Sequence, residues 1–206
     1  MIEDLDLVQW LLAKGADPNA LSESGDTPLS LAITQSPIHV IKILIGQALC
    51  SGGGLCAGEL AHCAVQRYKK DRNLEVLRTL IEAGAPFDEI LWDKPPAYNK
   101  KAWFHRGTPL HEACKHGLIE VVELLVGKGA NPNKYQRYFD SDSGSTPLHE
   151  ACKHGFVEVA ETLVKNGANP NKRMRCGDSD SGQTALEIVR GRRDTSMLEM
   201  MSKYGF

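Results

Sequence analysis

Apolar residues recur every three or four positions in a series of short segments along the chain, which is the spacing of one face of an amphipathic helix. The clearest of these segments covers residues 119–128, and glycine follows it at position 129. A shorter apolar segment precedes it and ends near Gly117. Because glycine readily adopts the left-handed conformation that ends a helix, the pattern predicts pairs of short helices separated by tight turns. The apolar face of the second helix is formed by Val121, Val122, Leu124 and Leu125.

These predicted helix pairs are copies of one another. The sequence TPLHEACKHGLIEVVELLVGKGANPN at 108–133 recurs as TPLHEACKHGFVEVAETLVKNGANPN at 146–171, and DSDSG at 140–144 recurs at 178–182. In both cases the offset is 38 residues. Leu125 and Leu163 are therefore expected to occupy the same buried place in adjacent second helices.

Each copy carries recognisable start and stop signals. Thr108 followed by Pro109 is a helix start, since threonine caps a helix and proline fits its first position. The Ala-Asn-Pro-Asn sequence after Gly129 predicts an extended exit turn, because the residue before a proline disfavours helix.

Weaker copies extend toward both ends, and we treat 1–206 as a single domain of repeated units. The first unit contains only a second helix, so the apolar face formed by Leu7, Val8 and Leu11 is expected to lack the helix that covers it in a complete unit. Residues 86–107 are a large insertion between units. The predicted units are 1–20 (partial), 25–50, 55–86, 107–134, 145–172 and 182–206.

The opening Thr-Pro-Leu-His, the central glycine and the Gly-Ala-Asn-Pro-Asn exit resemble the ankyrin repeat family. This resemblance implies an all-α fold, an ankyrin-repeat solenoid of stacked antiparallel helix pairs with extended inter-repeat turns. It also implies a non-catalytic module for protein–protein interaction, with no enzyme activity and no cofactor. The spacing of 38 residues departs from the family's usual repeat of about 33 residues, which places extra residues in the turns.

The resemblance further implies where a partner protein would bind. In the family, the turn tips and the exposed side of the first helices form a concave surface. The alternative is that the same residues are merely solvated helix ends. The corresponding residues here are Lys115, His116, Ser145, Lys153, His154, Gln183, Arg190 and Arg192.

Aromatic residues provide a second candidate binding site, because they are concentrated in two inter-unit segments, 86–107 and 135–139. Exposed aromatic side chains and arginine are frequent anchors of protein interfaces. The alternative is that the rings pack on each other as a small local core. The candidate residues are Trp92, Tyr98, Trp103, Phe104, Arg106, Tyr138 and Phe139.

Composition narrows the classes of partner. The chain of 206 residues has 24 Lys and Arg against 26 Asp and Glu, a net charge of -2, so direct contact with nucleic acid is not expected. No apolar run approaches the ~18 residues of a membrane helix. The acidic start resembles no secretory signal, and the six cysteines then read as reduced thiols of the cytoplasm or nucleus. We expect a monomer.

The repeated His-x-x-Cys-x-His sequence could be interpreted as a metal site, with His111, Cys114 and His116 as ligands. The resemblance favours a structural role for His111 at the Thr-Pro turn, so no metal is expected. Basic clusters at 172–175 and 190–193 could serve nuclear import or phosphate contact. We therefore predict an adaptor or scaffold. The alternatives are a nuclear transcription coregulator and the regulatory segment of a larger protein.

Overall fold

The computed structural model describes residues 5–23, 26–50, 59–89, 107–136, 144–175 and 182–206. Within these ranges all regular elements are helices, apart from isolated β-bridges, and none of the helices is long and apolar enough to cross a bilayer. The chain forms two compact units, Met1–Phe104 (unit 1) and His105–Phe206 (unit 2). That the whole of 1–206 acts as a single domain stays a prediction.

The described part of unit 1 contains one helix without a partner helix of its own repeat, followed by two helix pairs. The first helices of the pairs, α2 and α4, pack against each other, and so do the second helices, α3 and α5. Two helices, α3 and α4, have 13 residues each and are longer than the helices of the later repeats. Helix α3 continues through Ala48, a position where the other repeats have a glycine that ends the helix. The helices are α1 (Leu5–Ala13), α2 (Pro28–Gln35), α3 (Ile38–Cys50), α4 (Glu59–Asp71) and α5 (Glu75–Glu82).

The unpaired helix α1 exposes much of its apolar face. Leu7 is 50% exposed and Leu11 is 43% exposed, whereas the equivalent Val121 and Leu125 of a complete repeat are fully buried. The exposure predicted for Leu7 and Leu11 is confirmed. The prediction for Val8 is wrong, because this side chain is buried on the side of α1 that packs against α3.

Unit 2 consists of three helix pairs in the predicted register. The first helices α6, α8 and α10 pack in sequence, as do the second helices α7, α9 and α11. Leu125 and Leu163 are both fully buried, as predicted from their shared place in the repeat. The helices are α6 (Pro109–Lys115), α7 (Ile119–Gly127), α8 (Pro147–His154), α9 (Val157–Lys165), α10 (Ala185–Arg192) and α11 (Thr195–Lys203).

A buried histidine joins the start of each first helix to the turn that leads into the next repeat. The Nδ1 atom of His111 accepts a hydrogen bond from the backbone N–H of Thr108 at 3.1 Å. This leaves the proton on Nε2, which lies 3.1 Å from the carbonyl oxygen of Ser145 and donates to it. His149 repeats the arrangement with Thr146 and with the carbonyl oxygen of Gln183. The bond of His111 at the Thr-Pro turn is the structural role that the resemblance implied. Each imidazole also spans two repeats, which the sequence did not predict.

The longer turns of unit 2 pair with each other through the backbone. Gly144 and Arg175 exchange two backbone hydrogen bonds, of 3.0 and 2.9 Å. A Cβ atom at Gly144 would lie only 1.6 Å from the carbonyl oxygen of Gln136, and one at Gly182 would lie 2.5 Å from that of Met174. The repeated glycine of the DSDSG sequence is thus required by close approach of two backbone segments.

Replacing Gly144 with alanine should lower the free energy of unfolding by about 2 kcal/mol or more, because the added methyl group meets backbone that no side-chain rotation can clear. The matched control is Gly127→Ala, where an added Cβ meets nothing within 4 Å and α7 gains up to about 1 kcal/mol of helix propensity. Urea denaturation of both variants measures the difference. Equal stability of the two variants would contradict the close approach at Gly144.

The buried imidazole of His149 makes stability depend on pH. Burial is the main cause that lowers its pKa from 6.5 to about 4, while the hydrogen bond to the Gln183 carbonyl opposes the shift. As pH falls from 6.5 to 4, the unfolded chain takes up a proton that the folded chain resists, so folding becomes less favourable. A pKa difference between 6.5 and about 4 corresponds to a loss of about 3 kcal/mol across this range.

Urea denaturation at a series of pH values, together with an NMR titration of the His149 ring proton, tests this expectation. The variant His149→Gln should be less stable than the natural chain at pH 7 and should show a shallower decline toward acid. A ring titration with its midpoint near the ordinary value for histidine would disprove the proposed origin of the pH dependence.

Candidate protein-binding surface

Basic side chains form a row at the carboxyl ends of the first helices of unit 2. His116, His154 and Arg192 occupy equivalent positions in three successive repeats, and α6, α8 and α10 pack next to each other in that order. Arg192 also bridges two repeats directly, since its Nη1 atom donates a 2.6 Å hydrogen bond to the carbonyl oxygen of Lys153. We call this row the basic edge; it comprises Lys115, His116, Lys153, His154, Arg192 and Arg193.

Two buried carboxylates lie beneath the basic edge. Glu112 is 7% exposed and its Oε1 atom lies 2.9 Å from Nε2 of His116. Glu150 is 6% exposed, and its Oε1 atom accepts a 3.0 Å hydrogen bond from Nζ of Lys153. The carboxylates hold one basic group of each repeat in place while contributing little to the outer surface.

Ser145 and Gln136 complete the surroundings of Glu150. The Ser145 hydroxyl and the Gln136 side-chain amide both donate hydrogen bonds to Oε1 of Glu150. Burial acts to raise the pKa of Glu150, but the Ser145 hydrogen bond and the charge of Lys153 together lower it below its usual range. Glu150 is therefore a stable anion at neutral pH. It gives Lys153 a fixed counter-charge.

The residues predicted for the concave surface differ in their exposure to solvent. His116 and His154 are exposed, and Lys115 and Lys153 are half-buried at the same edge. Ser145 is fully buried, so it presents no surface of its own and would affect binding through Glu150. That these residues contact a partner stays a prediction.

Sequence reasoning missed Phe156 as part of this surface. Its half-buried ring lies against Gly117, where an added Cβ would come within 2.7 Å of the ring, and it stacks on His154 with ring centroids 6.1 Å apart. The sequence offered one signal: the equivalent residue of the preceding repeat, Leu118, is a buried aliphatic side chain, so the larger aromatic ring at 156 stands out in the alignment of the two repeats. Phe156 therefore adds an apolar contact surface between two repeats of the basic edge.

Most of the aromatic candidate site lies outside the described residues, and its role stays a prediction: Trp92, Tyr98, Trp103, Phe104, Arg106, Tyr138 and Phe139. Tyr135, next to that set, is described. Its ring lies between the charged groups of Lys172 and Arg175, 4.6 and 4.5 Å from the ring centroid, and its hydroxyl donates to the Arg173 carbonyl oxygen. Part of the 172–175 basic cluster is thus engaged within the fold.

The residues of the repeated His-x-x-Cys-x-His sequence have three different surroundings. His111 bonds to backbone, His116 faces Glu112, and Cys114 lies fully buried in the core. Burial raises the pKa of Cys114 well above its usual value and raises that of Cys152 to about 12, so both are neutral thiols at physiological pH. Among the residues that the structure describes, no three potential ligands form a group that could hold a metal ion.

Comparison with known protein families and structures agrees with the repeat register. A family model described as ankyrin repeats (many copies) matches residues 3–45, and one described as ankyrin repeats (3 copies) matches residues 89–174. The crystal structure of the ankyrin repeat domain of Bcl-3, described as a unique member of the IkappaB protein family, is similar with a TM-score of 0.67. The two share 27% sequence identity over 94% of this chain and 76% of that one.

Two curated proteins illustrate how relatives use such repeats within longer chains. The ankyrin repeat and KH domain-containing protein mask-1 of Caenorhabditis elegans is 31% identical over 177 residues, covering 61% of this chain and 7% of that protein. Transient receptor potential cation channel subfamily A member 1 of Homo sapiens is 28% identical over 125 residues, covering 61% and 10%. The chain therefore spans a tenth or less of these relatives. From its matched repeats and its fold, the chain belongs to the ankyrin repeat family.

Proposed function

We propose that this protein is an adaptor or scaffold that binds another protein through the basic edge of unit 2. Ankyrin repeats are modules for protein–protein interaction, which gives the general class. The observation that carries the specific proposal is the basic edge, where buried carboxylates and a backbone contact hold the side chains of His116, Lys153 and Arg192 in place. Such preorganised groups lose little conformational entropy on binding, which favours their use as a recognition surface.

The proposal includes the absence of catalysis by this chain, and in the part of the chain that the structure describes it is supported by the surroundings of Cys114, Cys152, His111 and His149. Nucleophilic attack by cysteine needs a thiolate, whereas Cys114 and Cys152 are buried neutral thiols. Acid–base catalysis by histidine needs a ring nitrogen that can reach a substrate, whereas both ring nitrogens of His111 and of His149 face backbone or threonine groups.

Two further roles remain candidates. The role of a regulatory segment in a larger protein is supported by the length of the relatives, of which this chain matches a tenth or less. The role of a nuclear transcription coregulator is supported by the basic sequence at 190–193, whose arginines are exposed. In either role we expect a monomer located in the cytoplasm or nucleus, in keeping with the reduced thiols of Cys114 and Cys152.

Affinity capture from cell lysate with quantitative mass spectrometry tests the proposed function. The charge-reversal variant Lys115→Glu should capture its specific partners at least about fivefold less well, because it reverses the charge of a half-buried lysine at the edge. The matched control Lys128→Glu makes the same change at the end of the second helix of the same repeat, and its capture should equal that of the natural chain. Thermal melts of both variants check that folding is unchanged.

A third protein, lacking residues 88–105, tests the aromatic insertion. If this deletion abolishes capture while Lys115→Glu does not, the binding site is the insertion and the proposed role of the basic edge is wrong. If no protein is captured above the level of beads without the chain, the adaptor function itself is refuted.

A further inference from the structure

We propose that the basic edge recognises an extended, acidic protein segment whose carboxylates recur at every third residue. This inference rests on the proposed function and goes further by stating the chemistry and spacing of the partner. It depends on three properties of the edge: the charge that remains exposed, the fixed position of the cationic groups, and the distance between successive repeats.

The exposed charge of the edge is positive even though the chain as a whole has a net charge of -2. Within the described ranges Lys115, Arg192 and Arg193 form no salt bridge. The Asp194 carboxylate beside them caps α11 through the Met197 backbone N–H and keeps its negative charge. The two carboxylates beneath the edge are buried, and each already faces a basic group of its own repeat. An acidic ligand would therefore meet more cations than exposed carboxylates.

Two of the cationic groups, on Lys153 and Arg192, are held in position before any ligand binds. Glu150 fixes Nζ of Lys153, and the Lys153 carbonyl oxygen accepts the 2.6 Å hydrogen bond from Nη1 of Arg192. The left-handed Gly155 leaves room for this contact, since an added Cβ there would lie 3.3 Å from Nη2 of Arg192. Nη2 is the nitrogen that remains to donate to a ligand carboxylate.

The repeat spacing sets the spacing of the carboxylates. Neighbouring packed helices lie about 8–10 Å apart, and a peptide in the extended polyproline II conformation advances about 3.1 Å per residue with three residues per turn. Every third residue of such a peptide lies on the same face and about 9 Å further along, so acidic residues at every third position would face the ends of α6, α8 and α10 in turn. The ring of Phe156, between the first two of these ends, provides apolar contact for the residues that lie between the acidic ones.

A protein segment fits this edge better than a nucleic acid does. Binding to nucleic acid depends on many phosphate contacts and on a strongly positive domain. Here the net charge is negative, and the positive groups form one short row above buried carboxylates. Discrete carboxylates at matched intervals suit such a row, whereas a dense phosphate backbone does not.

Fluorescence polarisation with labelled peptides tests the inference on the full chain. The probe is a peptide of about nine residues with Glu at every third position, separated by Pro and Ala so that it favours the polyproline II conformation. A second peptide with Gln in place of Glu controls for charge, and a third with its Glu residues adjacent controls for spacing. We expect the spaced Glu peptide to bind at least about tenfold more tightly than either control at low ionic strength, with affinity falling as salt is added.

Protein variants locate the binding. Lys115→Glu combined with Arg193→Gly should weaken binding of the spaced peptide about tenfold. Glycine suits position 193, whose backbone is left-handed with φ of 55° and whose equivalents are Gly117 and Gly155, so this double variant should fold. Lys128→Glu, on the second helix, should leave the affinity unchanged.

The inference would be overturned if the Glu and Gln peptides bound with equal affinity. It would also be overturned if Lys128→Glu weakened binding of the spaced Glu peptide as much as the double variant does. A third contrary result is a single-stranded oligonucleotide of the same charge that binds more tightly than the spaced Glu peptide and loses as much affinity in the double variant. That result would also overturn the inference, because it would assign the edge to nucleic acid. Failure with peptides while lysate capture still depends on Lys115 would refute the acidic segment and leave the adaptor function standing. Failure with the peptides, together with lysate capture no higher than on beads without the chain, would refute the adaptor function as well.

Discussion

The hydrogen bond from the buried imidazole of His111 to the carbonyl oxygen of Ser145 connects one repeat to the candidate binding surface of the next. It fixes the backbone of Ser145, whose hydroxyl then bonds to Glu150. Glu150 in turn accepts a hydrogen bond from Nζ of Lys153, and the Lys153 carbonyl oxygen accepts one from Nη1 of Arg192 in the third repeat. A single chain of polar contacts thus runs across unit 2, from a structural histidine in the core to the cations at the surface.

The lengthened turns support this chain of contacts from the opposite side. A five-residue increase over the usual repeat would leave a loose loop unless its backbone found partners. The partners are supplied by pairing between successive turns, at Gly144 with Arg175, and within the second turn, at Arg173 with Thr184. Tyr135 adds a ring between Lys172 and Arg175, which ties the second turn to the first. The extra residues therefore add contacts between repeats.

Much of this architecture could be predicted because it repeats. The Thr-Pro start, the left-handed Gly117 and the buried Leu125 all follow from local physics that identical sequences obey identically. The failures occur where a residue's surroundings come from another repeat. Val8 is buried by α3, which its own sequence does not reveal, and the carbonyl oxygen of Ser145 is bound by His111 of the preceding repeat, although its place in the turn predicted exposure. Phe156 was missed for the same reason, since the repeat position only identified it as apolar.

Cys114 and Cys152 give the interior of unit 2 a chemical property of its own. Both sulfur atoms are buried in adjacent first helices, with exposures of 0% and 1%, and both are held as neutral thiols. Oxidants and alkylating agents react with exposed thiolate, which neither residue offers while the helices remain packed. The rate at which these sulfurs are modified therefore measures how often α6 and α8 separate, so the protein carries an intrinsic reporter of local unfolding directly beneath its candidate binding surface.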